Sequence, residues 1–371
     1  MRRARLTIDP AALRHNLAVA REAARGRTVF AAVKADGYGH GLLTVAAALA
    51  SADIDGFAVA TPGEGLALRE AGHDQRVLVL QGALTTDELD LAVTRSLEVV
   101  VHDLAQIDLI EHHAAALPDV SLRVWLKVDT GMHRAGLAPD RIPGARARLR
   151  ACAAVAPRVG LMTHFARADE PDPSFTDTQI ERFRSVGANW DGETSLCNSA
   201  ALLGSESAGG DSVRPGIMLY GGNPFIVGEA AQHDLRPAMT LTTSLIAVRE
   251  VPAGEAIGYG GRFVAPETMP VGVAAVGYGD GYPRHAPDGT PILVKGRRAQ
   301  IVGRVSMDLV TVDLRGIEAR VGDPVECWGE ALPIDEVARA AGTISYELMC
   351  QVSGQLRNEA RILIEANGST G

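Results

Sequence analysis

The chain has 371 residues, with 36 Lys+Arg against 45 Asp+Glu, a net charge of −9 and a pI near 5.6. That balance excludes the basic face on which nucleic-acid binders usually rely. Apolar content of 46% with 22% charged residues is that of a folded globular protein long enough for a large domain and a smaller one, and no apolar run long enough to span a membrane occurs. The basic start, Met1-Arg2-Arg3-Ala4-Arg5, meets Asp9 and Pro10 before any apolar stretch, so it does not read as a signal peptide. Four scattered cysteines (Cys152, Cys197, Cys327, Cys350) form no CxxC pair, which points to a cytoplasmic protein with reduced thiols and no metal cluster. Only Lys34, Lys127 and Lys295 are lysines, beside 33 arginines, so each lysine carries information.

The first predicted element is a helix. Asp9 suits its N-cap, Pro10 its first position, and Leu13, Leu17 and Ala20 its buried face. Eight short apolar runs follow: Val29–Val33, Gly56–Ala60, Val77–Gln81, Leu97–Val101, Leu122–Val128, Val159–Thr163, Thr194–Cys197 and Ser212–Arg214. They alternate with helix candidates such as Thr86–Thr94 and Leu104–Ala116. This alternation predicts a parallel sheet, and the count favours a closed (β/α)₈ TIM-type barrel over an open doubly wound sheet. Beyond Gly221-Gly222-Asn223-Pro224 the style changes. Strand candidates at Thr240–Val251, Gly272–Gly277, Gly289–Val294, Gln300–Val305, Leu309–Val312 and Val325–Trp328 precede two helices, Ile334–Ala341 and Ser345–Val352. The expected division is a barrel domain over 1–235 and a mostly β domain over 236–371, with a disordered tail at 368–371.

In such a barrel the strand C-termini form the functional face. Lys34 ends the first strand, Lys127 the fifth, Thr163-His164 the sixth; Asn198-Ser199 follows the seventh, and Arg214, Gly216 and Ile217 close the eighth. A hydroxyl at Ser199 and backbone N–H groups at Gly216-Ile217 suit a phosphate, and a lysine at the same rim suits a Schiff-base cofactor. Taken singly, Lys34 is more readily a solvated or ion-paired lysine and His164 a hydrogen-bonded core histidine, and Gly37-Tyr38-Gly39-His40-Gly41 can be just a turn. The residues alone lead to a barrel enzyme with a phosphate-bearing cofactor.

The motifs go further. Val33-Lys34-Ala35-Asp36-Gly37-Tyr38-Gly39-His40-Gly41, Lys127-Val128-Asp129-Thr130-Gly131-Met132-His133-Arg134, Thr163-His164-Phe165-Ala166, Asn198-Ser199-Ala200 and Val213-Arg214-Pro215-Gly216-Ile217 stand in order. Gly258-Tyr259-Gly260, Gly277-Tyr278-Gly279-Asp280-Gly281-Tyr282, Gly303-Arg304-Val305-Ser306-Met307-Asp308 and Thr343-Ile344-Ser345-Tyr346-Glu347 continue the series. Over nearly its whole length the chain resembles the bacterial alanine racemases.

The resemblance implies an isomerase that interconverts L- and D-alanine for peptidoglycan, with pyridoxal 5'-phosphate (PLP) attached to Lys34. Lys34 and Tyr259, the latter from the partner subunit of a homodimer, would act as the two bases on opposite faces of the substrate. His164 and Arg214 would support Tyr259, whose phenol is otherwise a poor base, and Arg214 would hydrogen-bond the pyridine nitrogen. Tyr38, Ser199, Gly216, Ile217 and nearby Tyr346 would surround the phosphate. Arg134 and the backbone N–H of Met307, also from the second subunit, would hold the substrate carboxylate. Lys127 would be the lysine that many members carry as a carbamate, and Tyr278 and Asp308 would lie at the entrance.

Departures from the family pattern occur at Gln355-Leu356-Arg357-Asn358, where many members read Arg-Val-Pro-Arg, at Gly354, where some have a tyrosine, and at Ala135 in place of a leucine. Gly354 leaves room for a larger substrate side chain, so a serine or broad-specificity racemase is the alternative reading. A fold-related decarboxylase is disfavoured by arginine at 214, and a non-catalytic PLP-binding barrel by the presence of the β domain.

Overall fold

A computed structural model describes residues 3–116 and 121–363. The expected tail at 368–371 lies outside the described residues.

The chain begins with a strand that the sequence reading passed over. β1 (Arg5–Ile8) alternates outward Arg5 with buried Leu6 and Ile8. It pairs antiparallel with β10 (Met239–Val251) and parallel with Arg361–Ile362. The first and last described strands therefore both lie in the second domain's sheet. Four residues are too few for period-2 alternation to stand out from a lead-in, and only the distant partner strand makes them a strand.

The helix Pro10–Ala24 follows, capped as expected: the Asp9 carboxylate accepts the N–H groups of Ala11 (2.8 Å) and Ala12 (3.3 Å). Leu13, Leu17 and Ala20 are fully buried. So is Asn16, whose side-chain amide donates to the carbonyls of Leu219 (3.0 Å) and Arg236 (2.8 Å) while its Oδ1 accepts the Arg236 N–H (2.8 Å). One residue thus satisfies both ends of the inter-domain connection, as a buried amide must.

Eight parallel strands close into a barrel: β2 (Thr28–Ala32), β3 (Gly56–Val59), β4 (Arg76–Val79), β5 (Glu98–Val101), β6 (Val124–Lys127), β7 (Gly160–Met162), β8 (Thr194–Ser195) and β9 (Ser212–Val213). Each falls within a residue or two of its expected run. β9 pairs with β2, Thr28 opposite Ser212, which completes the ring. Their continuous apolar character follows from burial on both faces. Phe30, Ala58, Leu78, Val100, Trp125 and Met162 form an inner cluster, and the outward positions pack under the helices. Below that cluster Glu98 is buried but ionised, held below its ordinary pKa by Arg76 (2.6 Å), the Trp125 indole N–H (2.8 Å) and Arg123 (3.2 Å), which together outweigh the burial that opposes them.

In the second domain the eight-stranded sheet runs Met269–Ala274, Val310–Asp313, Arg297–Ile301, Pro291–Val294, Pro324–Trp328, β10, β1, Arg361–Ile362, and Met269–Ala274 also pairs with β10. Two expected strands move. Gln300–Val305 is observed at Arg297–Ile301, because Lys295 (φ 54°) and Gly296 (φ 72°) form a tight hairpin turn that starts the return strand at once. Gly272–Gly277 is observed at Met269–Ala274: Pro270, which argues against a strand in sequence, sits at an exposed position. The helices Ile334–Ala341 and Ser345–Gln351 lie where expected.

Candidate active site

Lys34 follows β2, and the backbone after it turns sharply. Ala35, Asp36, Gly37 and Tyr38 all lie in the left-handed region, with φ of 53°, 54°, 60° and 51°. For the three non-glycine residues this costs roughly 1–2 kcal/mol each, so the turn persists only because its surroundings specify it. Glu64 accepts the Ala35 N–H (2.9 Å), Asp36 accepts the Leu42 N–H (2.8 Å), and the His40 ring bonds the Tyr38 carbonyl (2.9 Å). Tyr38 stacks on Tyr220, ring centroids 4.6 Å apart. Gly39 has no room for a side chain, since a Cβ there would lie 2.0 Å from the Met349 carbonyl oxygen. The glycine motif is indeed a turn, and the turn aims Lys34 at the barrel mouth.

Around Lys34 the mouth is cationic. Burial, then Arg134, holds the Lys34 amine below its ordinary pKa, with Glu64 and Cys350 opposing. Lys127, at the end of β6, is pushed down to about 8 by burial and by Arg214, Arg134 and Lys34. His164, just past β7, is held well below its usual value by burial and the same cations, so its imidazole is neutral near pH 7. Arg214 is buried, which lowers it to about 10 and leaves it charged. Its two terminal nitrogens donate to the Ser195 hydroxyl and to the carbonyls of Thr163 and Leu196, and Nε has no bond among the described residues. Arg134 itself is exposed at the tip of a loop shaped by Asp129, which accepts the N–H groups of Gly131 (2.9 Å) and His133 (3.1 Å).

On the far side of Tyr38 lies a small polar cradle. The Ser199 hydroxyl accepts the Gly216 N–H at 2.8 Å, and a Cβ added at Gly216 would sit 2.6 Å from the Tyr38 hydroxyl. Ile217 opens the short 3₁₀ helix Ile217–Tyr220, and the Tyr346 ring stands 5.9 Å from that of Tyr38. A cavity of about 440 Å³, bounded by Phe165, Asp169, Asn198, Asp335, Ile344 and Tyr346, opens beside the cradle. A larger one, about 650 Å³, lies around Arg76, Glu98 and Trp125 at the opposite, N-terminal end of the strands, away from these groups.

The alanine racemase N-terminal domain family matches residues 8–224, and the alanine racemase C-terminal domain family residues 238–360. The chain belongs to the alanine racemase family. It is similar to the alanine racemase of Nitrosococcus oceani, 52% identical over 94% of this chain and 97% of that one. It is also similar to the catabolic alanine racemase of Pseudomonas putida, 50% identical over 95% and 97%. The crystal structure of the biosynthetic alanine racemase from Pseudomonas aeruginosa superposes with a TM-score of 0.92 at 45% identity, covering 98% of this chain and 99% of that one. The chain is therefore an isomerase with the racemase fold.

In this family member Lys34, Tyr38, Lys127, Arg134, His164, Ser199, Arg214, Gly216, Ile217 and Tyr346 all lie at or beside the barrel mouth. Two expected residues lie elsewhere. Tyr259, in the short turn Tyr259–Gly261 of the β domain, is 69% exposed and makes no hydrogen bond among the described residues. Met307 is 55% exposed, and its backbone N–H has no acceptor there. Tyr278, too, is exposed. Asp280 and Tyr282 have packing roles: Asp280 accepts the Gly277 N–H (3.0 Å), and buried Tyr282 stacks on Trp328 at 5.9 Å. Gly354 opens the helix Gly354–Asn358, where a Cβ would meet only the Arg357 guanidinium, at 4.0 Å.

Sequence reasoning missed Glu64 and Cys350 beside Lys34, and gave no role to Tyr220, which stacks on Tyr38. For Glu64 a signal existed: Thr61-Pro62-Gly63-Glu64 is a capping box, and both of its reciprocal bonds form. Cys350 comes from a remote segment and carries no local mark, whereas Tyr220 ends the turn Ile217–Tyr220 that begins in the cradle itself.

Proposed function

We propose that the chain interconverts L- and D-alanine with PLP held at Lys34, by proton transfer on opposite faces of the substrate. The observation that carries this reading is the half-buried Lys34 amine, held below its ordinary pKa among Arg134, Lys127, Arg214 and a neutral His164. An amine so placed spends more of its time unprotonated, as both attachment of a carbonyl cofactor and base catalysis require.

The residues present fit PLP. The Tyr38 and Ser199 hydroxyls and the Gly216-Ile217 backbone make a cradle for the phosphate that any side chain at Gly216 would fill. The unbonded Nε of Arg214 is a donor suited to the pyridine nitrogen. Because Arg214 stays charged, it would disfavour protonation of that nitrogen and so would limit the electron withdrawal on which side reactions depend. When bound, PLP supplies a conjugated system that stabilises negative charge at that carbon.

The chain's own groups do the rest. Lys34 takes or returns a proton on one face. Arg134, with the N–H of Met307 from the partner subunit, orients the carboxylate. Tyr259 of the partner subunit serves the other face, with neutral His164 and then Arg214 behind it to stabilise its oxyanion. Tyr259 and Met307 are exposed, and neither the Tyr259 side chain nor the Met307 N–H has a partner among the described residues, which supports a homodimer with shared sites in which a second copy covers both. The role we assign is supply of D-alanine for peptidoglycan in the cytoplasm.

Borohydride reduction of the PLP-loaded protein followed by peptide mapping tests the centre of this reading. The reduced adduct is expected on Lys34, and any other site overturns it. Racemisation rates across a panel of amino acids then test the substrate: alanine is expected to lead, and equal rates for serine would replace the assignment with a broad-specificity racemase.

A further inference from the structure

The segment after the helix Ser345–Gln351 reaches back to the turn that follows Lys34. We propose that Arg357 is a positioning residue for Lys34, acting through an ion pair with Asp36. The proposal rests on the reading of Lys34 as the reactive amine.

Asp36 is the second residue of the left-handed turn, and its two carboxylate oxygens do different things. Oδ1 accepts the Leu42 N–H at 2.8 Å, closing the turn onto the following helix, and Oδ2 faces Arg357 Nη1 at 3.3 Å. Glu64 and His40, which also hold this turn, both belong to the barrel. From the C-terminal part of the chain, Met349 and Tyr346 pack on the turn, and Arg357 adds its charged tie.

That segment is anchored at each end. Ser353 donates its N–H to the Asp280 carbonyl (3.0 Å) and caps the helix Gly354–Asn358 by accepting the Leu356 N–H (3.3 Å). Leu356 is buried, and Arg361–Ile362 pair with β1. The guanidinium thus projects from a fixed base. It reaches Asp36 while its own Nε stays buried with no acceptor among the described residues, a cost that a merely solvated surface arginine does not bear. Since Ala35, Asp36 and Tyr38 hold strained dihedrals only while their surroundings specify them, loss of this brace lets the turn relax and Lys34 leave its reactive direction. The carboxylate site at Arg134 stands on a different loop, so substrate binding is largely spared.

The test uses PLP-loaded protein and four variants: Arg357→Met, Asp36→Asn, their double and Arg357→Lys. Asp36→Asn keeps the oxygen that accepts the Leu42 N–H. It removes only the charge, and serves if Arg357→Met does not fold. Each single change is expected to lower kcat roughly 3- to 10-fold with KM within about twofold, as for coupled partners in one network. Amide exchange should accelerate in the peptide spanning 35–42, the double variant should be no worse than either single, and Arg357→Lys should recover part of the loss. Wild-type exchange and kcat in the single variants would overturn the proposal, as would multiplied losses in the double. A reduced adduct away from Lys34 in the wild-type protein would remove the functional reading and this proposal with it; an adduct on Lys34 with unchanged variants removes the brace alone.

Discussion

Lys127 offers a quantitative test of the electrostatics at the mouth. Burial and three neighbouring cations bring its amine from 10.5 to about 8. At pH 7.5 about a quarter of such amines are unprotonated, against about one in a thousand for an ordinary lysine. Carbamylation by dissolved CO₂ consumes the free amine, so this site is favoured by a factor of about 200 on that ground alone. The carbamate then puts a negative charge beside Arg134 and Arg214 where a repelling cation stood. The sign of the pH effect is fixed. Without CO₂, Lys127 is disfavoured as a cation in the folded protein. The penalty is fully present below pH 8 and disappears as pH rises towards 10.5. It is at most about 3 kcal/mol, less whatever water reaches the half-buried group. The protein is expected to melt higher in bicarbonate than in CO₂-free buffer at pH 7–7.5, by about 1–2 °C per kcal/mol recovered. Racemisation should rise in parallel. With ¹³C-bicarbonate, a carbamate resonance should appear that Lys127→Ala abolishes. Absence of a Lys127-dependent resonance, together with melts indifferent to bicarbonate, would refute the argument.

The other predictions concern single groups. Lys34→Arg should abolish racemisation by about three orders of magnitude or more, since a guanidinium neither attaches the cofactor nor gives up its proton. Lys295→Arg should leave the rate unchanged and stability within about 0.5 kcal/mol, because Lys295 only reaches the Glu318 carbonyl and the rim of Asp323 from an exposed turn; both are read by activity assay and thermal melt. Mixing inactive Lys34→Ala and Tyr259→Phe proteins under exchange should restore about a quarter of wild-type activity, because half the dimers then carry one intact site; no recovery would show that both bases come from one chain. Gly216→Ala should weaken PLP retention about tenfold or more, since its Cβ lies 2.6 Å from the Tyr38 hydroxyl in a buried cradle with no room to relax; equilibrium dialysis followed by cofactor absorbance measures it.

Much was legible in the sequence because much of the fold is local. The Asp9-Pro10 start set the first helix. The eight barrel strands were found because each is buried on both faces and therefore reads as an apolar run, and the strand-end positions of Lys34, Lys127, His164 and Arg214 followed from the barrel rule. Composition left lysine at only three places, two of them at the mouth. Tertiary structure decided what depends on distant partners. β1 is a strand because β10 lies beside it. The Lys34 turn holds a left-handed path because Glu64, Tyr220, Met349 and Arg357 press on it from four separate segments. The depressed pKa values of Lys127 and His164 come first from burial and then from cations brought together from several separate segments. Sequence names which groups are present; burial and the distances between groups, which only the folded chain fixes, set how strongly each is charged and where it points.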